Sequence, residues 1–535
     1  MDLLGTSRAY IKEMVSLAGP QMKVILMDKE TTSIVSCAFA QSEMMQKEVY
    51  LFERIDSPVP REAIKHLKCI VFLRPTSDNI QLLSEELRCP KYAQYYIYFS
   101  NIISKTDLKL LAEADEQETV REVHEYFVDS ISLCSHLFVL NQKSVYDHTF
   151  RLTTPAFLRI RQALTALMLS LKKRAIIRYQ RSSTDCQRLA EEVSQVIRRE
   201  EGLFENTKQD TLLLILDRSE DPVSPLLNQW TYEAMVHELI TISNNRVCVE
   251  GQSMVLNELH DDFYAKNVAM NFGEIGQNIK LLMNDFQQRS QIHKNLESIS
   301  DMKNFVEEYP QFKKISGTVS KHVTLVGELS KIVSNQNLLE TSEVEQSIVA
   351  EGDHTRCLER IKELLRHPKT TRLNALRLVL LYTLRFETYS NNECSNLVKM
   401  LKDKDSSAGN IVSAMIRFAG HSKRSNDLFG QGSTMEMTKR FIKGLKGVEN
   451  IYTQHEPYLK DVVENLVRGR LSDQAYPYVT GEVGSFRQEN VIIFIVGGAT
   501  FEESVFVRSM NEKRAQGSGG PAIVLGSTFI HNAAR

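Results

Sequence analysis

The sequence predicts an α/β protein interrupted by a large, mostly helical insertion. Three observations lead there. Short apolar runs rich in β-formers alternate with helical stretches through the first third of the chain. The same style of run returns only near the far end, and between the two pieces the apolar residues recur at helical spacing.

In order, Met22–Met27, Val49–Phe52, Cys69–Leu73 and Tyr95–Phe99 are the first strands, with a helix over Ser77–Arg88 between the third and fourth. Unbroken apolar character is what a parallel strand buried on both faces requires. Met27 is followed by Asp28-Lys-Glu-Thr-Thr-Ser33 and not by a Gly-rich turn, which excludes a dinucleotide fold. The spacing predicts one helical stretch from Pro155 to about Glu201, then a strand over Leu212–Leu216. The strands Val491–Val496 and Ala522–Leu525, with a helix from Glu502, complete the same sheet. Gly497 and Gly498 read as a tight strand-to-helix turn rather than a phosphate loop.

Within the insertion, roughly Thr231–Leu471, two amphipathic helices stand out: Phe272, Ile275, Ile279, Leu282 and Phe286 in one, Val319, Val323, Val326 and Leu329 in the other. Between them Pro310 breaks the helical pattern after Ile299, Met302, Phe305, Val306 and Tyr309. The expectation is a hairpin at about 266–335 whose tip exposes apolar residues and binds a helix.

Composition narrows the function. The 535 residues are 42% hydrophobic and 25% charged with a net charge of −2, so no global field attracts nucleic acid or an anionic membrane, and proteins are the favoured partners. Eight dispersed cysteines form neither CxxC pairs nor Cys/His clusters, so no metal site, disulfide framework or cofactor is implied, and the chain reads as reduced and cytosolic. Met1–Arg8 has no basic n-region, and no stretch approaches the ~20 apolar residues of a membrane span. Any work at a membrane is expected to go through a partner.

The most chemistry-like stretch is Leu212-Leu-Leu-Ile-Leu-Asp-Arg-Ser-Glu-Asp-Pro-Val-Ser-Pro225, with Asp217 and Asp221 at the carboxyl end of a buried strand. A phosphohydrolase using these two aspartates would need a third ligand or a nucleophile with its base, which Arg218-Ser219-Glu220 does not supply. The structural reading is stronger: Asp217 accepts backbone N–H groups, Pro222 and Pro225 stiffen the turn, and a helix starts at Leu226. The basic run Lys172-Lys-Arg174 with Arg178 and Arg181 reads as a solvated helix face. His124, His136, His237, His322 and His455 have neither HExxH spacing nor a nucleophile in range. Over Glu118–Phe127, Val120, Val123, Tyr126 and Phe127 fall at helical steps and read by themselves as core.

The strings Leu216-Asp-Arg-x-x-Asp-Pro-Val-Ser-Pro225, Tyr309-Pro-Gln-Phe312 and Gly497-Gly-Ala-Thr500 resemble the SM (Sec/Munc-type) family of syntaxin-binding proteins, over essentially the whole chain. Met27–Val35, Tyr50–Ile55, Leu111–Gln117, Asn228–Thr231 and Lys443–Asn450 resemble its endosomal branch, in which a further helix follows the segment matching His531–Arg535. The resemblance implies an arch of three domains: an N-terminal α/β domain over residues 1–130, a second from 131–230 with 472–535, and a helical third over 231–471. It implies no catalysis. It implies instead binding of an endosomal or trans-Golgi syntaxin-type Qa-SNARE, an R-SNARE and the assembled SNARE complex, contact with endosomal tethering factors, and peripheral membrane association through SNAREs. The syntaxin N-peptide would sit in a groove of Val120, Val123, Glu125, Tyr126 and Phe127, on a helix. The hairpin's SNARE surface would use Met302, Phe305, Pro310, Phe312 and Val323. A helical sorting adaptor without SNARE contact is the competing non-enzymatic reading.

Overall fold

The structure, a computed structural model, describes the chain apart from residues 206, 295–298, 403–405, 426–427, 430–451, 453, 480–487 and 534–535, and the side chains at 208 and 289–312. It divides into two compact units. One comprises Met1–Asp217, Leu466–Ala499 and Phe506–Ile530; the other comprises Arg218–Asn465, Thr500–Val505 and His531–Arg535.

The first unit holds two sheets. β1 (Lys23–Met27), β2 (Val49–Arg54), β3 (Lys68–Leu73), β4 (Gln94–Phe99) and β5 (Val120–Glu125) are all parallel, in the order β2-β1-β3-β4-β5. Asp28, where a nucleotide fold would carry glycine, caps the helix Lys29–Ala38 by accepting the N–H groups of Glu30 and Thr31. The helix Ser77–Arg88 lies where its periodicity places it.

Glu118–Phe127 is not a helix. It contains β5, the edge strand, paired along Tyr95–Phe99 of β4. Val120 and Val123 satisfy a helical spacing by coincidence, but their β-branched side chains suit a pleated edge, and an edge strand tolerates Arg121, Glu122 and His124 beside them.

The second sheet contains β6 (Ile131–Ser132), β7 (Leu137–Val139), β8 (Lys173–Tyr179) and β9 (Lys208–Asp217). After the β10 (Arg246–Val249) and β11 (Gln252–Val255) hairpin of the other unit, it is completed by β12 (Asn490–Val496) and β13 (Ala522–Ser527), in the order β6-β7-β13-β12-β9-β8. The helical stretch expected from Pro155 to Glu201 is therefore two helices, Thr154–Ser170 and Thr184–Arg199, flanking β8. Lys172, in the left-handed region at φ 54°, ends the first of them. Arg178 is not on a solvated face. Its buried guanidinium donates to the carbonyls of Leu471, Ser472 and Tyr476 and to Asp473, and lies 4.5 Å over the Tyr478 ring, pinning the returning chain along β8.

The second unit is helical around two cores. One surrounds Arg372–Phe386, every residue of which from Asn374 onward is buried; the other gathers Trp230, Tyr232, Ile275, Leu325 and Leu329. A helix does not start at Leu226: a short 3-10 turn, Ser224–Leu226, precedes the helix Tyr232–Leu239. Nor does Pro310 break the hairpin's second helix, which runs unbroken over Ile299–Asn335. A proline removes one donor and crowds one carbonyl, and a long helix absorbs this locally because its neighbouring turns remain bonded. Among its described residues the buried stripe of that helix is His322, Leu325, Leu329 and Val333; of the expected stripe Leu329 is buried and Val326 packs on the core, while Val323 is exposed.

Gly526 of β13 faces Phe138 of β7 in register, and a Cβ there would run into the Phe138 ring. Gly526→Ala is expected to destabilise the first unit by about 1–3 kcal/mol, as overpacking does. Thermal melts of the variant alone and with Phe138→Leu check this: the second change restores part of the loss if the ring is the cause.

Candidate functional site

Three places carry the residues singled out from sequence. At the end of β9, Asp217 accepts the Ser183 hydroxyl at 2.9 Å while its own N–H donates to Gln180 Oε1. In the second unit Asp221 organises the turn. Its Oδ1 accepts the N–H groups of Val223 and Ser224, and its Oδ2 accepts the Ser224 hydroxyl at 2.6 Å and the Tyr458 N–H at 3.1 Å. Burial works against the charge, but Arg218 and His455 hold the Asp221 carboxyl below the usual carboxylate range. Arg218 pairs with Glu503 at 2.7 Å, and Glu220 accepts the N–H and hydroxyl of Ser425.

Ser224 Oγ also lies 3.0 Å from His455 Nε2. The serine hydroxyl is given to the Asp221 carboxylate and Ser224 is buried, which is not how a hydrolytic triad presents its nucleophile. With these lone pairs taken up by N–H and O–H donors, the motif ties distant segments of the chain together. Among the described residues no group of three His, Cys, Asp or Glu side chains is placed to hold a metal.

Nearby, the buried Glu345 accepts the N–H and side-chain amide of Asn228 at 3.0 and 2.7 Å, while Arg377 pairs with Glu238 at 2.6 Å. Burial pushes the Glu345 carboxyl up to about 7, against the pull of Asn228 and Arg377.

The second place is the β5 edge. Val120, Val123 and Glu125 pair with Tyr95, Ile97 and Phe99 and share the sheet face covered by the helix Lys105–Ala114. Val123 is 41% exposed, and one Glu125 oxygen is taken by the Ile103 N–H at 2.8 Å. Tyr126 and Phe127 do not join them. Tyr126 is buried on the opposite side against Tyr10 and Tyr98, and Phe127 packs on the core of the second sheet. Sequence reasoning passed over Leu108 and Leu110, each 41% exposed on the Lys105–Ala114 helix. Apolar residues in an amphipathic helix read as core, and only the buried positions Leu111 and Ala114, next to them in the chain, reveal that these two face out.

The third place is the helical hairpin Phe272–Lys294 and Ile299–Asn335. Of the residues expected on its surface, Met302, Phe305, Pro310 and Phe312 have side chains outside the described residues; Val323 is 37% exposed.

Two α/β sheets with a helical body inserted ahead of β12, bearing a long helical hairpin, are the architecture of the SM proteins. The chain belongs to the Sec1 family, whose model matches residues 23–535. It is 51% identical to vacuolar protein sorting-associated protein 45 of Mus musculus, over 99% of this chain and 95% of that protein. It is 40% identical to the homolog of Arabidopsis thaliana, over 100% and 97%. The solved SM protein Vps45 in complex with the Qa SNARE Tlg2 matches with a TM-score of 0.90 at 39% identity, covering 100% of this chain and 96% of that one. The Unc18–syntaxin 1 complex from Monosiga brevicollis, with a TM-score of 0.79 at 18% identity over 100% and 98%, shares the fold.

A carboxyl whose pKa is raised in the fold stabilises fully below its unfolded value, and that stabilisation is lost as pH rises through the folded value. Between pH 4.5 and about 7, Glu345 is expected to withdraw at most about 3 kcal/mol from the helical unit. Denaturant titrations at pH 5 and 7 test it: Glu345→Gln should flatten the difference, and an unchanged pH slope would refute the assignment.

Proposed function

We propose that the chain binds a syntaxin-type Qa-SNARE of endosomal or trans-Golgi membranes and promotes SNARE-complex assembly for vesicle fusion and sorting to endosome, vacuole or lysosome. The observation that carries this is whole-length likeness to Vps45 proteins, one of them solved with its Qa-SNARE. The work is binding, so what matters is apolar surface left open at element edges.

In this reading the chain divides into an N-peptide domain (1–130), a second α/β domain (131–230 with 472–535) and a helical third (231–471). The N-peptide docks by one or two apolar side chains against Val123, with Val120 and Glu125 beside it and Leu108 and Leu110 enlarging the apolar ground. The helical hairpin, through Val323 and the residues toward its tip, receives an R-SNARE and the forming bundle; tethering factors are further partners. No helix among the described residues is long and apolar enough to cross a membrane, and recruitment to endosomal, trans-Golgi and vesicle membranes runs through the SNAREs.

The direct test is retention of the cytosolic part of an endosomal Qa-SNARE on the purified chain. Equal retention of a plasma-membrane syntaxin, or none at all, would overturn the assignment. Val123→Arg places a charge where a peptide side chain is to be buried, while the long stem keeps its head in water. Calorimetry with the N-terminal peptide should show a loss of about 2–3 kcal/mol in binding with an unchanged melting temperature. Undiminished binding would remove Val123 from the groove.

A further inference from the structure

The helix Ile299–Asn335 seats itself with His322, Leu325, Leu329 and Val333. Three of these are apolar, and an apolar stripe packs almost as well one turn up or down, so it carries little register information. His322 differs. It is wholly buried, with Nε2 2.9 Å from Asp261 Oδ2 and Nδ1 2.7 Å from the Tyr232 hydroxyl. The Phe263 ring lies 4.7 Å away, and Tyr264 is stacked within 12° of the imidazole plane. Lys321, the preceding residue, pairs with the same Asp261 and donates to the Val255 carbonyl at 2.9 Å.

The proton positions follow from the partners. Asp261 is buried; His322 and Lys321 nevertheless hold its carboxyl well below the usual range, so it is ionised and only accepts. Nε2 therefore donates to it, and Nδ1 and the Tyr232 hydroxyl share the second hydrogen bond. Tyr232 opens the helix Tyr232–Leu239, and Asp261 caps the helix Asp262–Asn267 through the Tyr264 N–H. Three elements thus meet on one ring. A shift of the long helix by one turn would bring another side chain to Tyr232 and Asp261 and leave a buried hydroxyl and carboxylate without the ring that fits both.

We propose that His322 is the positioning residue of the helical hairpin, fixing the register and rotation of Ile299–Asn335 on its base and so the outward aspect of Val323, its neighbour in the chain. A single polar side chain in an otherwise apolar seam is a general means of specifying register. The consequence for SNAREs rests on the function proposed above, whereas the register role rests on the geometry alone.

The test uses the full chain with genetically encoded, cysteine-independent spin labels at Lys313, on the hairpin, and Glu250, at the turn of the β10–β11 pair; both are exposed. The expected result is one distance in the wild type and in His322→Gln, whose amide offers an acceptor and a donor spaced much like the ring nitrogens. His322→Leu fills the space without the polar match and should give a broadened distribution or a second distance shifted by about 5 Å, one helical turn. Tyr232→Phe breaks the same pairing without opening a cavity and should broaden it too. A wild-type distance in His322→Leu or Tyr232→Phe, or a narrower distribution in His322→Leu than in His322→Gln, overturns the proposal. SNARE-assembly rates measured in parallel should fall about tenfold in His322→Leu and recover in His322→Gln. A loosened hairpin with undiminished assembly would refute the hairpin as a SNARE surface and leave the register role standing.

Discussion

The pairing of β9 with β12 is the constraint to which the rest of the structure answers. Asn490–Val496 is buried along its whole length and registers residue for residue on Thr211–Asp217. A strand hydrophobic on both faces has no stable place outside a sheet, so the chain must return to the first unit after traversing the helical one. Closing so long a loop is entropically unfavourable, but the penalty grows only logarithmically with length and is offset by two buried neighbours, β9 and β13. The side chains around the junctions serve that closure. Arg178 holds residues 471–478 alongside β8 in the first unit, and in the second Asp221 holds both its own turn and the start of the helix at Tyr458.

Within the first unit a second constraint joins the two sheets. Asp129 is buried between Arg74 and Arg159, accepting at 2.9 and 3.1 Å, and also takes the Ser100 hydroxyl and the Asn101 amide. Glu30 bonds the same two arginines from the more exposed side. Buried ion pairs add little net stability, but removing one partner leaves an uncompensated charge, so such a network favours one arrangement of its elements over neighbouring ones. Its donors come from the ends of β3 and β4 and from the helix Thr154–Ser170, and its acceptor from the segment before β6, so it fixes how those elements meet.

How much of this was legible in the sequence depends on burial. β1, β3, β4, β9, β12 and β13 announce themselves because the centre of each is covered on both faces and runs apolar, with polar residues only toward its ends. β5 and β8, edge strands like β2, escape where the apolar run Val49–Phe52 of β2 does not, because charge interleaves their own runs. One side of each is open or strapped, charged residues interleave, and Val120 with Val123, or Lys173 with Arg174, then mimic a helix. The turn aspartates read as structural from the lack of a third ligand, but their donors as remote as Ser183 and Tyr458 are not legible in the sequence. On the hairpin the apolar pattern finds Leu329 and Val326 but takes Val323 for the buried position next to it, because that position is a histidine, which hydropathy counts as polar although His322 is fully buried.

The same logic explains why the site was harder to find than the fold. Catalytic sites leave compact signatures because reacting atoms impose residue types and spacings. A surface proposed to bind another protein's helix or terminal peptide needs only apolar side chains that the core has not claimed, and the exposed Leu108, Leu110, Val123 and Val323 are chemically indistinguishable from core residues until the backbone is in place. What the sequence does encode locally is the framework that turns them outward: Leu111 and Ala114 facing in beneath Leu108 and Leu110, Ile97 beside Val123, and His322 beside Val323. Each exposed residue is oriented by a buried neighbour. In the function proposed, the aspect of such a surface is therefore set by the buried residues beneath it.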